Sequence, residues 1–260
     1  MNIIIVTGAS SGMGKEFVRQ IDARFPKVDE IWIIARRKDK LEELEASCRH
    51  KCRILDLDLT KEISLESLAD MLKLYKARIR LLINCAGFGL LGDIAALSRE
   101  EQTTMIHLNC QALTAVTHIC LPYMSVNSRI IQMASSAAFL PQPGFAVYAA
   151  TKSYVLSFSQ ALRQEIKDKE IYVTAVCPGP VDTEFFEIAE RYEGKLEIKK
   201  LVMVTAEKVV EKALLDSRNK KAISVYGMPM KGFLCMTKLM PHGVLLNGMS
   251  MINKLLRRIS

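Results

Sequence analysis

Apolar residues along this chain follow two alternating patterns. One is a short unbroken run, rich in β-branched residues: Ile3–Val6, Glu30–Ala35, Arg53–Leu57, Arg80–Asn84, Arg129–Met133, Ile171–Cys177 and a stretch near 222–226. Such runs predict strands buried on both faces. The other pattern spaces apolar residues three or four apart. It predicts helices from about 14 to 25, over 39–48 (Leu41, Leu44) and over 65–75 (Leu68, Met71, Leu72, Tyr75). It also predicts helices from about 99 to 124 (Met105, Leu108, Ala112, Ala115, Ile119), after Tyr148 and near 205–217. The one after Tyr148 should bury Tyr154, Phe158, Ala161 or Leu162, and Ile166. Strands alternating with helices at this spacing build βαβ units, so the expected fold is α/β with a parallel sheet between helix layers. No repeat, linker or break in composition interrupts the pattern before about residue 228.

At 260 residues the chain suits one large domain, and half of its residues are apolar, enough for a substantial core. The net charge of +8 is spread among mixed acids and bases, with no arginine-rich arm, so nucleic acid is not an expected partner. Seven cysteines, an odd number lying mostly in apolar runs, fit free thiols in a reducing cytosol. Cys48-x-x-x-Cys52 lacks a second ligand pair and reads as a helix end followed by a strand start; no metal site is expected. MNIIIVTG is too short an apolar run for a signal peptide, and no stretch reaches the length of a membrane span. The expected location is cytoplasmic.

The candidate chemistry gathers where strands end. Gly8-Ala9-Ser10-Ser11-Gly12-Met13-Gly14 joins the first strand to the first helix; glycines let an anion approach the backbone, and the helix N-terminus behind them favours negative charge. The second strand ends in Ala35-Arg36-Arg37-Lys38. An acid at this place reads a ribose 2′-hydroxyl and an arginine a 2′-phosphate. No acid stands at 35–38, and Arg36 falls 22 residues past Gly14, so NADP(H) is expected rather than NAD(H). Arg37 is either a second contact or a solvent-facing neighbour. Asn84-Cys85-Ala86-Gly87 ends the fourth strand, Ser135 follows the fifth and Pro178-Gly179-Pro180-Val181-Asp182-Thr183 the sixth. Asn109 interrupts an otherwise apolar helix. Tyr148 and Lys152, four apart, share one helix face.

TGASSGMG, NCAG, Asn109, Ser135, Tyr148-x-x-x-Lys152 and PGPVDT, in this order, resemble the short-chain dehydrogenase/reductase family in its compact branch, over residues 3 to about 226. Two departures stand out: Cys85 replaces an asparagine and Ala134 a serine. Ser135 lies 13 residues before Tyr148, the family spacing, and is chosen over Ser136. The resemblance implies a Rossmann-type doubly wound three-layer sandwich with a seven-stranded parallel sheet. It implies Tyr148 as general acid/base, Lys152 stabilising the phenolate and holding the nicotinamide ribose, and Ser135 polarising the substrate carbonyl. Asn109 would hold a water in a proton relay. Gly8, Ser10, Ser11, Gly12, Met13 and Gly14 would cradle the phosphates; Asp58 and Leu59 would meet the adenine, with Asp56 the rival in DLDLT. Asn84, Ala86 and Gly87 would line the cofactor, with Pro178, Gly179, Val181 and Thr183 at the carboxamide side. A homodimer or homotetramer through the helices after residues 99 and 148 is implied.

Substrate choice should lie in residues that vary around this scaffold. Residues 183–204 suit a lid, with Phe185 facing a lipophilic ligand. Leu90, Ala137, Phe139 and Phe145 are the expected neighbours of the reacting carbon. The expected substrate is a lipophilic ketone or secondary alcohol, with a 3-oxoacyl thioester as one rival and a non-catalytic NADPH-binding sensor as another. Residues 1–227 form the expected catalytic domain, and 228–260 a Met-rich basic extension packed on it. The extension carries six methionines, five Lys or Arg and no acid. It reads as a cover for the pocket, a peripheral membrane contact or a packed terminal helix.

Overall fold

The structure is a computed structural model and is described over residues 1–189 and 203–247. Seven parallel strands form the central sheet: β1 (Asn2–Thr7), β2 (Glu30–Ile34), β3 (Cys52–Leu55), β4 (Arg78–Asn84), β5 (Met124–Met133), β6 (Tyr172–Val176) and β9 (Ile223–Ser224). Their order is β3-β2-β1-β4-β5-β6-β9. The strand order therefore reverses between β1 and β4, which opens a crevice at their carboxyl ends. Two short strands, β7 (Val181–Asp182) and β8 (Val204–Thr205), pair separately at the base of the 183–204 excursion. Most of the lid expected there lies outside the described residues.

Pleating sends successive β1 side chains to opposite faces. Ile4 and Val6 join a core with Phe17 and Ile21 of α1 (Gly12–Arg24), Leu41 of α2 (Lys38–Ala46) and Val209 of α8 (Ala206–Arg218). Ile3 and Ile5 join a second core with Leu68 of α3 (Glu62–Leu74), Val116 of α5 (Leu113–Cys120) and Leu162 of α6 (Ala146–Glu165). Helices thus cover both faces, the three-layer arrangement that the unbroken strand runs require.

Two features depart from simple periodicity. The helix expected over 99–124 consists of α4 (Arg99–Ile106), a π-helical segment at His107–Ala112 and α5, and β5 begins already at Met124. The buried stripe of α6 includes Tyr148, Lys152, Val155, Ser159 and Leu162, which leaves Tyr154 43% exposed and stacked on Phe158. Apolar spacing alone rotates this helix wrongly, because its buried face contains the polar Lys152 and Ser159, the latter donating to the Val155 carbonyl at 2.6 Å.

Candidate active site

The carboxyl ends of β1, β2 and β4 border a cleft of about 630 Å³. It is lined by Gly8, Ser10–Gly14, Arg36, Arg37, Asp58, Leu59, Ala86, Gly87 and Thr183, as the motifs imply. Gly8 has a φ of +68°, and a Cβ there would fall 2.8 Å from the Ala86 backbone. One on Gly14 would fall 2.1 Å from the Gly8 carbonyl. The loop is therefore a bare backbone shelf. Behind it, α1 follows its N-cap Ser11 with no side-chain cap and no acid in its first turn, so the first N–H groups of a helix that opens at the cleft are left without a side-chain partner. A shelf of this kind fits a dinucleotide pyrophosphate.

Asp58 lines the cleft and Asp56 does not. Burial raises the Asp58 carboxyl, but two hydrogen bonds from Thr60 and the nearby Arg36 charge outweigh it and leave the group below its ordinary value. Thr60 donates to it through its backbone N at 3.1 Å and its hydroxyl at 2.7 Å.

A second cavity of about 140 Å³ continues from the first, with Cys85 and Gly87 shared at the junction. Ser135, Ala137, Phe145, Tyr148, Lys152, Pro178, Gly179, Val181 and Phe185 line it. Ser135 caps the short 3₁₀ turn at Ser136–Phe139, accepting from Ala137 N at 3.1 Å, and it is hydrogen-bonded to Tyr148. Burial pushes the Tyr148 phenol above its ordinary value, and the Ser135 hydrogen bond pulls it back. Phe145 stacks on the phenol ring at 4.3 Å between centroids, and Phe185, from α7 (Glu184–Ala189), stands at 5.4 Å. Burial brings the Lys152 ammonium down to about 8. The shared Cys85 is pushed up by burial to about 12, so it sits at the junction as a neutral thiol.

Asn109 sits in the π-helical segment, whose extra residue per turn turns it inward. Its amide nitrogen donates to the Phe88 carbonyl at 2.8 Å and the Thr151 hydroxyl at 3.0 Å, and its oxygen accepts from Phe88 N at 3.1 Å. One lone pair of Oδ1 is left. A Cβ built on Gly87 would lie 2.8 Å from that oxygen and 3.5 Å from Lys152 Nζ, so both groups flank the same point.

A single converging set of serine hydroxyl, phenol and ammonium, at the junction of a dinucleotide-sized cleft and a small apolar pocket, has a family to match. The family model described as short chain dehydrogenase matches residues 2–193. The chain belongs to this short-chain dehydrogenase family. It is 35% identical over 198 residues to the NADP-dependent 3-hydroxy acid dehydrogenase of Schizosaccharomyces pombe, covering 74% of this chain and 75% of that one. It is 33% identical over 191 residues to sulfoacetaldehyde reductase 2 of Chromohalobacter salexigens, covering 71% and 74%. A solved short-chain dehydrogenase from Sphingobium yanoikuyae in complex with NADPH superposes with a TM-score of 0.78 at 26% identity, covering 96% of each chain.

Two expected positions fall elsewhere. Asn84 does not line the cleft: it turns toward α5 and donates to Thr117 Oγ1 at 2.9 Å, beside Gln132, which donates to the same oxygen at 3.0 Å. Phe139 leaves the substrate pocket and faces Phe233 at 6.1 Å, in α9 (Met228–Leu239). Arg37 lines the cleft but is engaged within the chain, as described below.

Other features of the site carry no sequence signal. Thr7 Oγ1 accepts from Cys85 N and Ala86 N at 3.0 and 3.1 Å, and so fixes the end of β4 against β1. Gly89 leaves space for the Tyr148 ring: a Cβ there would fall 2.6 Å from it. The Met133 carbonyl receives Lys152. Thr151 offers a weak signal, since it stands inside Tyr148-x-x-x-Lys152.

Proposed function

We propose that this oxidoreductase uses NADP(H) to interconvert a neutral, lipophilic ketone and its secondary alcohol, with Tyr148 as general acid/base. The observation that carries the reading is the convergence of Ser135, Tyr148 and Lys152 where the two cavities meet. NADP(H) in the larger cleft supplies or accepts the hydride. Gly8, Ser10, Ser11, Gly12, Met13 and Gly14 would hold its pyrophosphate, Arg36 and Arg37 its 2′-phosphate, and Asp58 and Leu59 its adenine. Ala86, Gly87, Pro178, Gly179, Val181 and Thr183 would border the nicotinamide half.

Ser135 donates to the substrate oxygen and fixes it beside the phenol. Tyr148 gives that oxygen a proton in reduction and takes it back in oxidation. A phenol of ordinary pKa, about 10, is a poor base at neutral pH. The Lys152 ammonium stabilises the phenolate and offsets part of the burial cost. Asn109 Oδ1 would hold a water behind Lys152, through which the proton returns to solvent.

The two curated relatives are named for anionic substrates. Among the described residues lining the smaller pocket, Lys152 is the sole cation, and Met13, Met133, Phe145, Phe185 and Phe186 supply apolar walls. This composition supports a neutral substrate. The inner face of α9 adds to it: Met230 sits against Gly179, where a Cβ would meet its sulfur at 2.7 Å. The outer face leaves Met228 and Leu239 77% and 78% exposed, next to Lys231 and Lys238. With no acid between 228 and 260, that face suits an anionic lipid surface. No described helix is long and apolar enough to cross a membrane. The exposed Tyr154 and Ile106 support self-association through α4 and α6, and the free thiols support a cytoplasmic setting.

The test is NADPH oxidation at 340 nm against steroid and fatty ketones, 3-oxoacyl thioesters, small aldehydes and 3-oxo acids, with Tyr148→Phe alongside. Turnover of neutral lipophilic ketones, falling about 10²- to 10⁴-fold in Tyr148→Phe, supports the proposal. Turnover confined to thioesters or to small acids replaces its substrate, and tight cofactor binding without any turnover replaces catalysis by sensing.

A further inference from the structure

Arg37, just past the end of β2, and Glu184, at the start of α7, are 147 residues apart in the chain and meet across the cleft mouth. The Arg37 Nη2 stands 2.9 Å from the Glu184 carboxylate. The same guanidinium donates to Ser10 Oγ from Nε at 3.2 Å and from Nη2 at 3.1 Å. Ser11, the N-cap of α1, helps to lower that carboxylate's pKa as well. All four residues line the larger cleft. One carboxylate therefore engages Arg37, just past β2, beside the serine loop that leads into α1, the two segments that meet the cofactor's phosphates in the reading above. Its carboxyl is held below the ordinary range, first by the Arg37 hydrogen bond.

An anion belongs here on electrostatic grounds. The bare loop, the uncapped helix N-terminus and the adjacent Arg36 and Arg37 all favour negative charge. A carboxylate and a phosphate cannot share one guanidinium and one serine hydroxyl without strong repulsion. The side chains of the pair are 45% and 42% exposed, so the bond is weak enough to exchange.

We propose that Glu184 is an internal stand-in for the cofactor's 2′-phosphate: it holds Arg37 over Ser10 until that phosphate displaces it, and so tunes the preference between NADP(H) and NAD(H). This rests on the NADP(H) reading of the cleft. Displacement is also felt by the substrate pocket. Glu184 is followed by Phe185, which stands on Tyr148, and preceded by Thr183, which lies within 3.3 Å of where a Gly12 Cβ would be. Occupation of the ribose end thereby reaches the wall around the phenol through three consecutive residues.

Titration calorimetry on the full chain tests this with NADP⁺, NAD⁺ and adenosine 2′,5′-bisphosphate, in the wild type, Glu184→Gln, Arg37→Gln and the double variant. Glu184→Gln is expected to tighten NADP⁺ and the bisphosphate about 2- to 5-fold, the range open to an exposed ion pair, and to leave NAD⁺ unchanged. In the Arg37→Gln background the same substitution is expected to change nothing. Weaker NADP⁺ binding in Glu184→Gln would show that the carboxylate clasps the loaded site, and would overturn the proposal. Equal tightening of NADP⁺ and NAD⁺, or no change in either, would overturn it too. The underlying NADP(H) reading fails by a different signal, namely wild-type protein that binds NAD⁺ as tightly as NADP⁺ with Arg37→Gln altering neither. Thermal unfolding checks that each variant folds. If Glu184→Gln does not fold, Glu184→Asp, shorter by one methylene, is expected to show the same ordering with a smaller gain.

Discussion

The Lys152 ammonium stands 5.6 Å from the centre of the Tyr148 ring and gives its hydrogen bond to the Met133 carbonyl at 2.7 Å. The charge proposed to stabilise the phenolate is thus anchored to the end of β5 and not to the phenol itself. Its burial sets a pH signature. The folded pKa is about 8, against an ordinary 10.5. Between those values the unfolded chain holds a proton that the folded one has released, so stability rises with pH across that window. Below pH 8 the full penalty applies, about 3 kcal/mol. Lys152→Met removes the titration. Its stability gain over the wild type should be largest below pH 8 and shrink by up to that amount by pH 10.5. Urea unfolding across this range reads the difference; a gap independent of pH would contradict the assignment.

Gly89 holds space for the Tyr148 ring. A Cβ there would fall 2.6 Å from Tyr148 Cδ2 and 3.0 Å from Phe145 Cζ. Gly89→Ala should displace the phenol while the distant phosphate shelf stays intact. The expected result is a loss of about 100-fold in kcat/KM with NADP⁺ affinity retained, since ångström-scale misplacement costs that much. Steady-state kinetics together with calorimetry separate the two; a parallel loss of cofactor binding would point to wider collapse.

Cofactor preference should turn on Arg36. It lines the cleft and sends its charge toward Asp58. Arg36→Asp removes a charge-assisted contact to a 2′-phosphate and supplies an acceptor for a ribose hydroxyl. The ratio of kcat/KM for NADPH over NADH should fall about 10- to 100-fold. An unchanged ratio would leave Arg37 and Ser10 as the discriminating pair.

The outer face of α9 should bind anionic membranes. The chain is expected to sediment with phosphatidylglycerol vesicles and not with phosphatidylcholine ones. Leu239→Glu should abolish this while sparing turnover of a water-soluble ketone. Absence of wild-type sedimentation at low salt would leave α9 as a pocket wall only.

How far the sequence speaks differs from residue to residue. Ile3–Val6 and Ile31–Ile34 name their strands because only a doubly covered sheet hides such runs. Tyr148, Lys152 and Ser135 are readable because spacing along one helix, or distance from a strand end, is itself a spatial fact. Asn84 is not: a polar residue at a strand end can point either way, and here Thr117, 33 residues on, captures it. Tyr154 misleads because apolar spacing takes no account of a buried ammonium on the same helix. The Arg37–Glu184 pair is invisible because its partners share no periodicity and no neighbouring motif. Phe139 depends on where a terminal helix docks, which local pattern does not encode.

That docking helix has a practical side. Met230, Phe233 and Leu234 join the same apolar cluster as Leu113, Val155 and Cys177, beneath the turn that begins at Pro178. A chain cut after β9 would keep its whole sheet yet lose one wall beside the nicotinamide end. Minimal versions of this enzyme, and fusions to it, should therefore keep Met228–Leu239 and not stop at the last strand.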